Sequence, residues 1–124
     1  MNGNSVHVYP GESLPAGAKT VAEAISMVAR DAAALRKPLF VGEFGVSRNA
    51  GAIEVQKREL GGILTALERA NVPLAAIWVF DLPDQDKEWN ITFHNERAPL
   101  LEMVAEANRR LYGSRDRAAT KMGQ

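Results

Sequence analysis

Three places in this chain carry residues whose types and spacing could do chemistry, and each lies at the end of an apolar run. "SVHVYPG" holds His7 and Tyr9, "KPLFVGEFGVS" sets Glu43 between Gly42 and Phe44, and "PLAAIWVFD" closes on Trp78 and Asp81. Residues two apart on a strand share a face, so His7 and Tyr9 would present an imidazole and a phenol side by side. A carboxylate held by two such donors, next to an indole that can lie against a sugar ring, suits nucleophilic attack at an anomeric carbon. That chemistry needs the carboxylate ionised, fixed and close. Each residue also has a plainer use. Glu43 could pair with a cation from another strand, His7 could bond to the backbone within a core, Tyr9 could be a rim aromatic and Trp78 a core side chain. Asp81 reads as the residue that opens the loop continuing through Pro83 and Asp84.

Other chemistries are less well supplied. Asp84, Asp86 and Glu88 lack the central glycine and the following bidentate glutamate of an EF-hand loop, and His94 has no cysteine or histidine beside it. Neither calcium nor zinc is expected, and no metal or other cofactor is assigned. The absence of cysteine excludes disulfides, thiolate metal sites and a cysteine nucleophile. No GxGxxG follows a strand, which disfavours a dinucleotide site. With 15 basic and 15 acidic residues, the chain has no net field to draw it to nucleic acid. No run approaches the roughly 18 apolar residues of a membrane span. The opening "MNGNSVHVYPG" has neither the basic nor the apolar region of a signal peptide, and localisation stays open.

The elements that must position these residues are legible in the pattern. Ser5 to Tyr9 alternates as a short strand. Thr20 with Glu23 forms a capping-box pattern ahead of Val21, Ile25, Val28, Ala32 and Leu35 at helical spacing. "PLFVGEF" is a strand-length apolar run. Leu60, Ile63, Leu64 and Leu67 share a helical face within a second helix from about Ile53 to Ala70, with Asn71 and Pro73 as its stop. "PLAAIWVFD" reads as a third strand and "LPDQDKEWNITFHNE" as a long polar and aromatic loop. Leu100, Val104, Ala107 and Leu111 form a third helix expected to end near Gly113, after which Arg115, Arg117 and Lys121 make a basic, solvated tail. The order β-α-β-α-β-α, with long crossovers, implies parallel strands. The strands are apolar enough to be covered on both faces, whereas helices lying on one side would cover a single face. Two architectures fit: part of a (β/α)8 barrel, or a small doubly wound sheet.

Taken in order and spacing, "SVHVYPG", "KPLFVGEFGVS" and "AAIWVFDLPDQDKEWNITFHNE" resemble the last three βα units of glycoside hydrolase family 5, the cellulase-like (β/α)8 TIM barrels of clan A. The resemblance covers about residues 4 to 112. It implies an α/β partial barrel of three consecutive βα units equivalent to strands 6–8, with residues 1–113 as the C-terminal part of a catalytic domain and 114–124 as the polar basic tail. It implies a retaining β-glycoside hydrolase acting on a β-glucan-type polysaccharide or oligosaccharide, and a parent enzyme that could be secreted. Glu43, in its Gly-Glu-Phe-Gly context, would be the nucleophile. His7 and Tyr9 would hold the nucleophile and the sugar, and Trp78 would be a sugar platform. The family's general acid, a Glu preceded by Asn at the end of the fourth strand, has no counterpart; Asn95-Glu96 has the right residue types in the wrong place. The chain alone is therefore expected to be a poor enzyme. The alternative is a non-catalytic carbohydrate-binding or assembly module that completes a barrel with another chain, through self-association or the missing barrel half.

Overall fold

The helix that Thr20 is expected to start does start there. Its hydroxyl accepts from the Glu23 backbone N–H at 3.1 Å, and the Glu23 carboxylate reaches back to the N–H of Lys19 at 3.0 Å. In the computed structural model, which describes residues 4–122, this is α1 (Val21–Ala34), the first of three α-helices among the described residues, followed by α2 (Ile53–Arg69) and α3 (Ala98–Met122). They alternate with β1 (Asn4–Val8), β2 (Leu39–Phe44) and β3 (Leu74–Ile77).

Two helices end in the same way. Arg36 and Asn71 adopt left-handed backbone, with φ of 52° and 53°. In each case the next N–H bonds back to the helix, Lys37 to the Ala32 carbonyl at 2.9 Å and Val72 to that of Leu67 at 3.1 Å. These paired bonds satisfy carbonyls that a helix end leaves open, and they turn the chain into the following strand. The third helix departs from expectation. Its backbone does not stop near Gly113 but continues to Met122, through the segment read as a tail. A glycine within a helix costs only about 1 kcal/mol relative to alanine, too little to end a helix by itself. The side chains of Arg115, Asp116 and Lys121 lie outside the described residues.

The sheet is parallel and runs β1-β2-β3. One face carries Val6, Val8, Leu39, Val41, Phe44, Ala75 and Ile77, which join Ile25, Leu60, Ile63, Leu64, Leu67 and Leu100 from the helices in one apolar core. On the opposite face Phe40 and Leu74 remain exposed, at 37% and 61%. That face is thus mixed rather than uniformly apolar, because Ser5 and His7 share it.

Strand alternation alone would put Glu43 on the wrong side, with Leu39 and Val41 against the helices. A bulge prevents this. Val41 pairs with Val6 and Ala75, but the next partners are Glu43 with His7 and Phe44 with Ile77, so β2 holds one residue more than each neighbour. The extra residue changes the parity of the strand. Phe44 takes the core position, 2% exposed, and Glu43 turns to the open face.

Candidate active site

Glu43 sits at the C-terminal end of β2, where a parallel sheet presents its loops. Two side chains from β1 and its end hold it. The Tyr9 hydroxyl donates to Oε2 at 2.5 Å, and His7 Nδ1 lies 3.3 Å from the same oxygen. Among the described residues no hydrogen bond engages Oε1. The carboxylate is 28% exposed, so it is held on one side and open on the other. Tyr9 keeps its proton well above the ordinary tyrosine range, because burial disfavours the phenolate and the hydrogen bond and charge of Glu43 add to that. At neutral pH the phenol is a donor and Glu43 the acceptor.

The two glycines around Glu43 have separate reasons. A Cβ on Gly42 would lie 3.0 Å from Ser5 Oγ and 3.1 Å from His7 Nε2, so the missing side chain is the space that the imidazole occupies. A Cβ on Gly45 would come 2.6 Å from the Trp78 carbonyl oxygen, a contact that no rotamer change relieves. The backbone of β2 thus approaches the end of β3 closely, and the Trp78 N–H donates to the Phe44 carbonyl at 2.7 Å. Trp78 is half-buried there, with a cis peptide bond to Val79. It joins the site through its backbone; His7, Tyr9 and Glu43 meet through their side chains.

Two further residues belong to this end of the sheet and stood out in no sequence pattern. Trp89, in the loop after β3, lies edge-on to Tyr9 with ring centroids 4.9 Å apart. Arg97 is wholly buried. It donates from Nε to Gln56 Oε1 at 3.0 Å, to the Glu88 and Asn90 carbonyls at 3.2 and 3.5 Å, and to the Val46 carbonyl. Burial, with the charge of Arg48 nearby, lowers its guanidinium to about 10, which still leaves it cationic at neutral pH. One side chain thereby ties α2, the end of β2 and the loop around Trp89 together. No spacing rule announces such a residue, since its partners are carbonyls distant in sequence.

The acidic loop residues are engaged elsewhere. Asp86 Oδ1 accepts from Asn90, and Glu88 Oε1 accepts from Ser47 Oγ at 3.0 Å and more distantly from Asn49. Asp81 opens the loop with φ of 53°, and its N–H donates to the Ile91 carbonyl. His94 is exposed, and its N–H donates to Thr92 Oγ1. Glu96 pairs with Arg48 at 2.5 Å, and that hydrogen bond holds its carboxyl below the usual range. Asn95 Oδ1 accepts from the Arg97 N–H. Among the described residues no group of three or more His, Asp or Glu side chains gathers to hold a metal ion, and no helix is long and apolar enough to cross a membrane.

The architecture is α/β, a three-stranded parallel sheet with three helices, consistent with part of a (β/α)8 barrel. Solved structures share it. The endo-1,4-β-D-mannanase of Thermotoga petrophila RKU-1 superposes with a TM-score of 0.60 at 18% identity, over 82% of this chain and 32% of that one. The endo-1,4-β-mannanase of Rhizomucor miehei gives 0.51 at 19% identity, over 77% of this chain and 26% of that one. A glycoside hydrolase family 5 mannosidase of Rhizomucor miehei gives 0.51 at 12% identity, over 86% and 37%. At these identities the likeness is one of fold, and this chain spans between 26% and 37% of the length of these structures. No protein-family model and no curated protein sequence matches the chain.

Proposed function

We propose that this chain is the nucleophile-bearing part of a retaining β-glycoside hydrolase of the family 5 type. Residues 1–113 would supply its sixth to eighth βα units, and residues 114–124 an extension beyond them. Glu43 is the nucleophile, His7 and Tyr9 hold it and the sugar, and Trp78 is a platform for that sugar. The observation that carries this reading is the one-sided grip on Glu43: among the described residues two groups meet Oε2 and none engages Oε1, on a carboxylate that is 28% exposed. In the reaction Oε1 would bond to the anomeric carbon as the glycosidic C–O bond breaks, and water would later release the sugar. A second carboxyl at about 5–5.5 Å from the first is required as acid and then base. Glu96 is unsuited to that task, being paired with Arg48 and held ionised. The acid would come from a part of the barrel outside these units. The names of the neighbouring structures favour a β-1,4-mannan over the β-glucan that the sequence motifs suggest.

A substrate with a leaving group that needs no protonation isolates the nucleophile from the missing acid. Treatment with 2-deoxy-2-fluoro-β-mannosyl fluoride forms a bond from Glu43 to C1 while the C–F bond breaks and fluoride departs. Mass spectrometry should find one added sugar on the peptide containing Glu43 and none in Glu43→Gln. Absence of label, or label that persists in Glu43→Gln, removes Glu43 from the mechanism.

A second reading, an assembly module that completes a barrel with another chain, is favoured by the exposure of Phe40 and Leu74 on the open sheet face.

A further inference from the structure

Tyr9 lies one residue beyond the end of β1, and its hydroxyl must reach Glu43 on the neighbouring strand. Two side-chain torsions would otherwise let the phenol swing away. Two neighbours limit the ring. A Cβ on Gly45 would lie 3.4 Å from Tyr9 Cε1, so the ring passes close to that bare stretch of backbone, and the Trp89 indole meets it edge-on. Among the described residues Trp89 is half-buried and stands apart from the apolar core. Its backbone is pinned all the same. The Trp89 N–H donates to the Gln85 carbonyl at 2.9 Å, and its own carbonyl accepts from the Val79 N–H at 3.5 Å. The carbonyls on either side of it, those of Glu88 and Asn90, accept from the buried Arg97 guanidinium, which also donates to the carbonyl of Val46, the residue after Gly45. One buried cation therefore fixes where the two neighbours of Tyr9 stand relative to each other.

We propose that Trp89 is a positioning residue for the nucleophile: it keeps the Tyr9 ring at the Gly45 backbone, where the hydroxyl reaches Glu43 Oε2. The inference rests on the glycosidase reading above, and in it Trp89 acts through Tyr9 and not on the sugar. An edge-on aromatic pair shifts a side-chain equilibrium of this kind by up to about tenfold. With the phenol in place the carboxylate keeps one orientation, and an attacking oxygen held in line reacts faster than one that turns freely. His7 needs no such support, since it lies within β1 and is paired with Glu43 in the sheet.

NMR spectra and fluorosugar labelling of the 124-residue chain test the assignment. The wild type should show a through-space contact between the Tyr9 ring protons and the α-protons of Gly45. Trp89→Ala should weaken that contact severalfold, and Trp89→Phe, which keeps an aromatic edge, should retain it. Trp89→Leu, apolar but without a ring, replaces the alanine variant if that one does not fold. Labelling of Glu43 should slow by about threefold to tenfold in Trp89→Ala and by no more than about twofold in Trp89→Phe. In a Tyr9→Phe background, Trp89→Ala should cause no further slowing, because the hydroxyl through which it acts is already gone; a residue with a merely structural role would add its own loss. A contact unchanged in Trp89→Ala or absent from the wild type, or equal slowing in the Tyr9→Phe background, overturns the assignment and leaves the label on Glu43 standing. A wild type that takes no label overturns the catalytic reading; a contact weakened in Trp89→Ala then still supports Trp89 as the residue that holds Tyr9, and an unchanged one overturns it.

Discussion

Tyr9 keeps its proton for as long as the chain is folded, and alkaline pH exposes what that is worth. Unfolded, a tyrosine ionises near about pH 10. Folded, Tyr9 does so higher, through burial first and the Glu43 carboxylate second. Its contribution to stability is therefore complete below about pH 10 and is lost as pH rises toward the folded value. Urea unfolding at about pH 9 and about pH 11 should show wild type losing stability more steeply than Tyr9→Phe over that interval. Equal slopes would mean that the Tyr9–Glu43 bond is not formed in solution. At this scale much of the site could be read from residue types alone: Glu43 in an apolar run, His7 and Tyr9 two apart, and glycines on both sides of the acid. The parity of Glu43 could not. Counting along "LFVGEF" puts the acid with Leu39 and Val41, and only the strand pairing shows that Gly42 adds a residue.

The elements were legible where local pattern decides them and obscure where distant partners do. Thr20 with Glu23 marked the start of α1, and Asn71 with Pro73 marked the end of α2 near its observed last residue, Arg69. Gly113 misled, because the helix-forming residues on both sides of it outweigh the cost of a single glycine. Arg97 escaped notice because its acceptors come from three separate segments, at Val46, Gln56 and Glu88 to Asn90. Its removal should be felt across the elements it joins. Arg97→Met leaves those acceptors buried without their donor, at about 1–3 kcal/mol each where no water replaces it. A total loss of about 3–5 kcal/mol, or a melting temperature about 10–20 °C lower, is expected from thermal and urea unfolding. A loss under about 1 kcal/mol would show that solvent reaches the site.

The molecule as a whole is a sheet with one face covered and the other open. Phe40 and Leu74 on that face, with β1 and β3 at its edges, are surfaces that associate. Sedimentation of the wild type should show concentration-dependent association, and Phe40→Lys with Leu74→Lys should weaken it by more than about 100-fold, given roughly 1.5–3 kcal/mol for each large apolar side chain buried. A wild type that stays monomeric over the same range would argue against the assembly reading. The bulge at Gly42 has its own consequence at this scale. Deleting that one glycine would leave Val41, Glu43 and Phe44 opposite Val6, His7 and Val8 in strict alternation, so Glu43 would stay on the open face and Phe44 in the core. The bulge thus accommodates a one-codon difference in the length of β2 while the parity of Glu43 relative to His7 is kept.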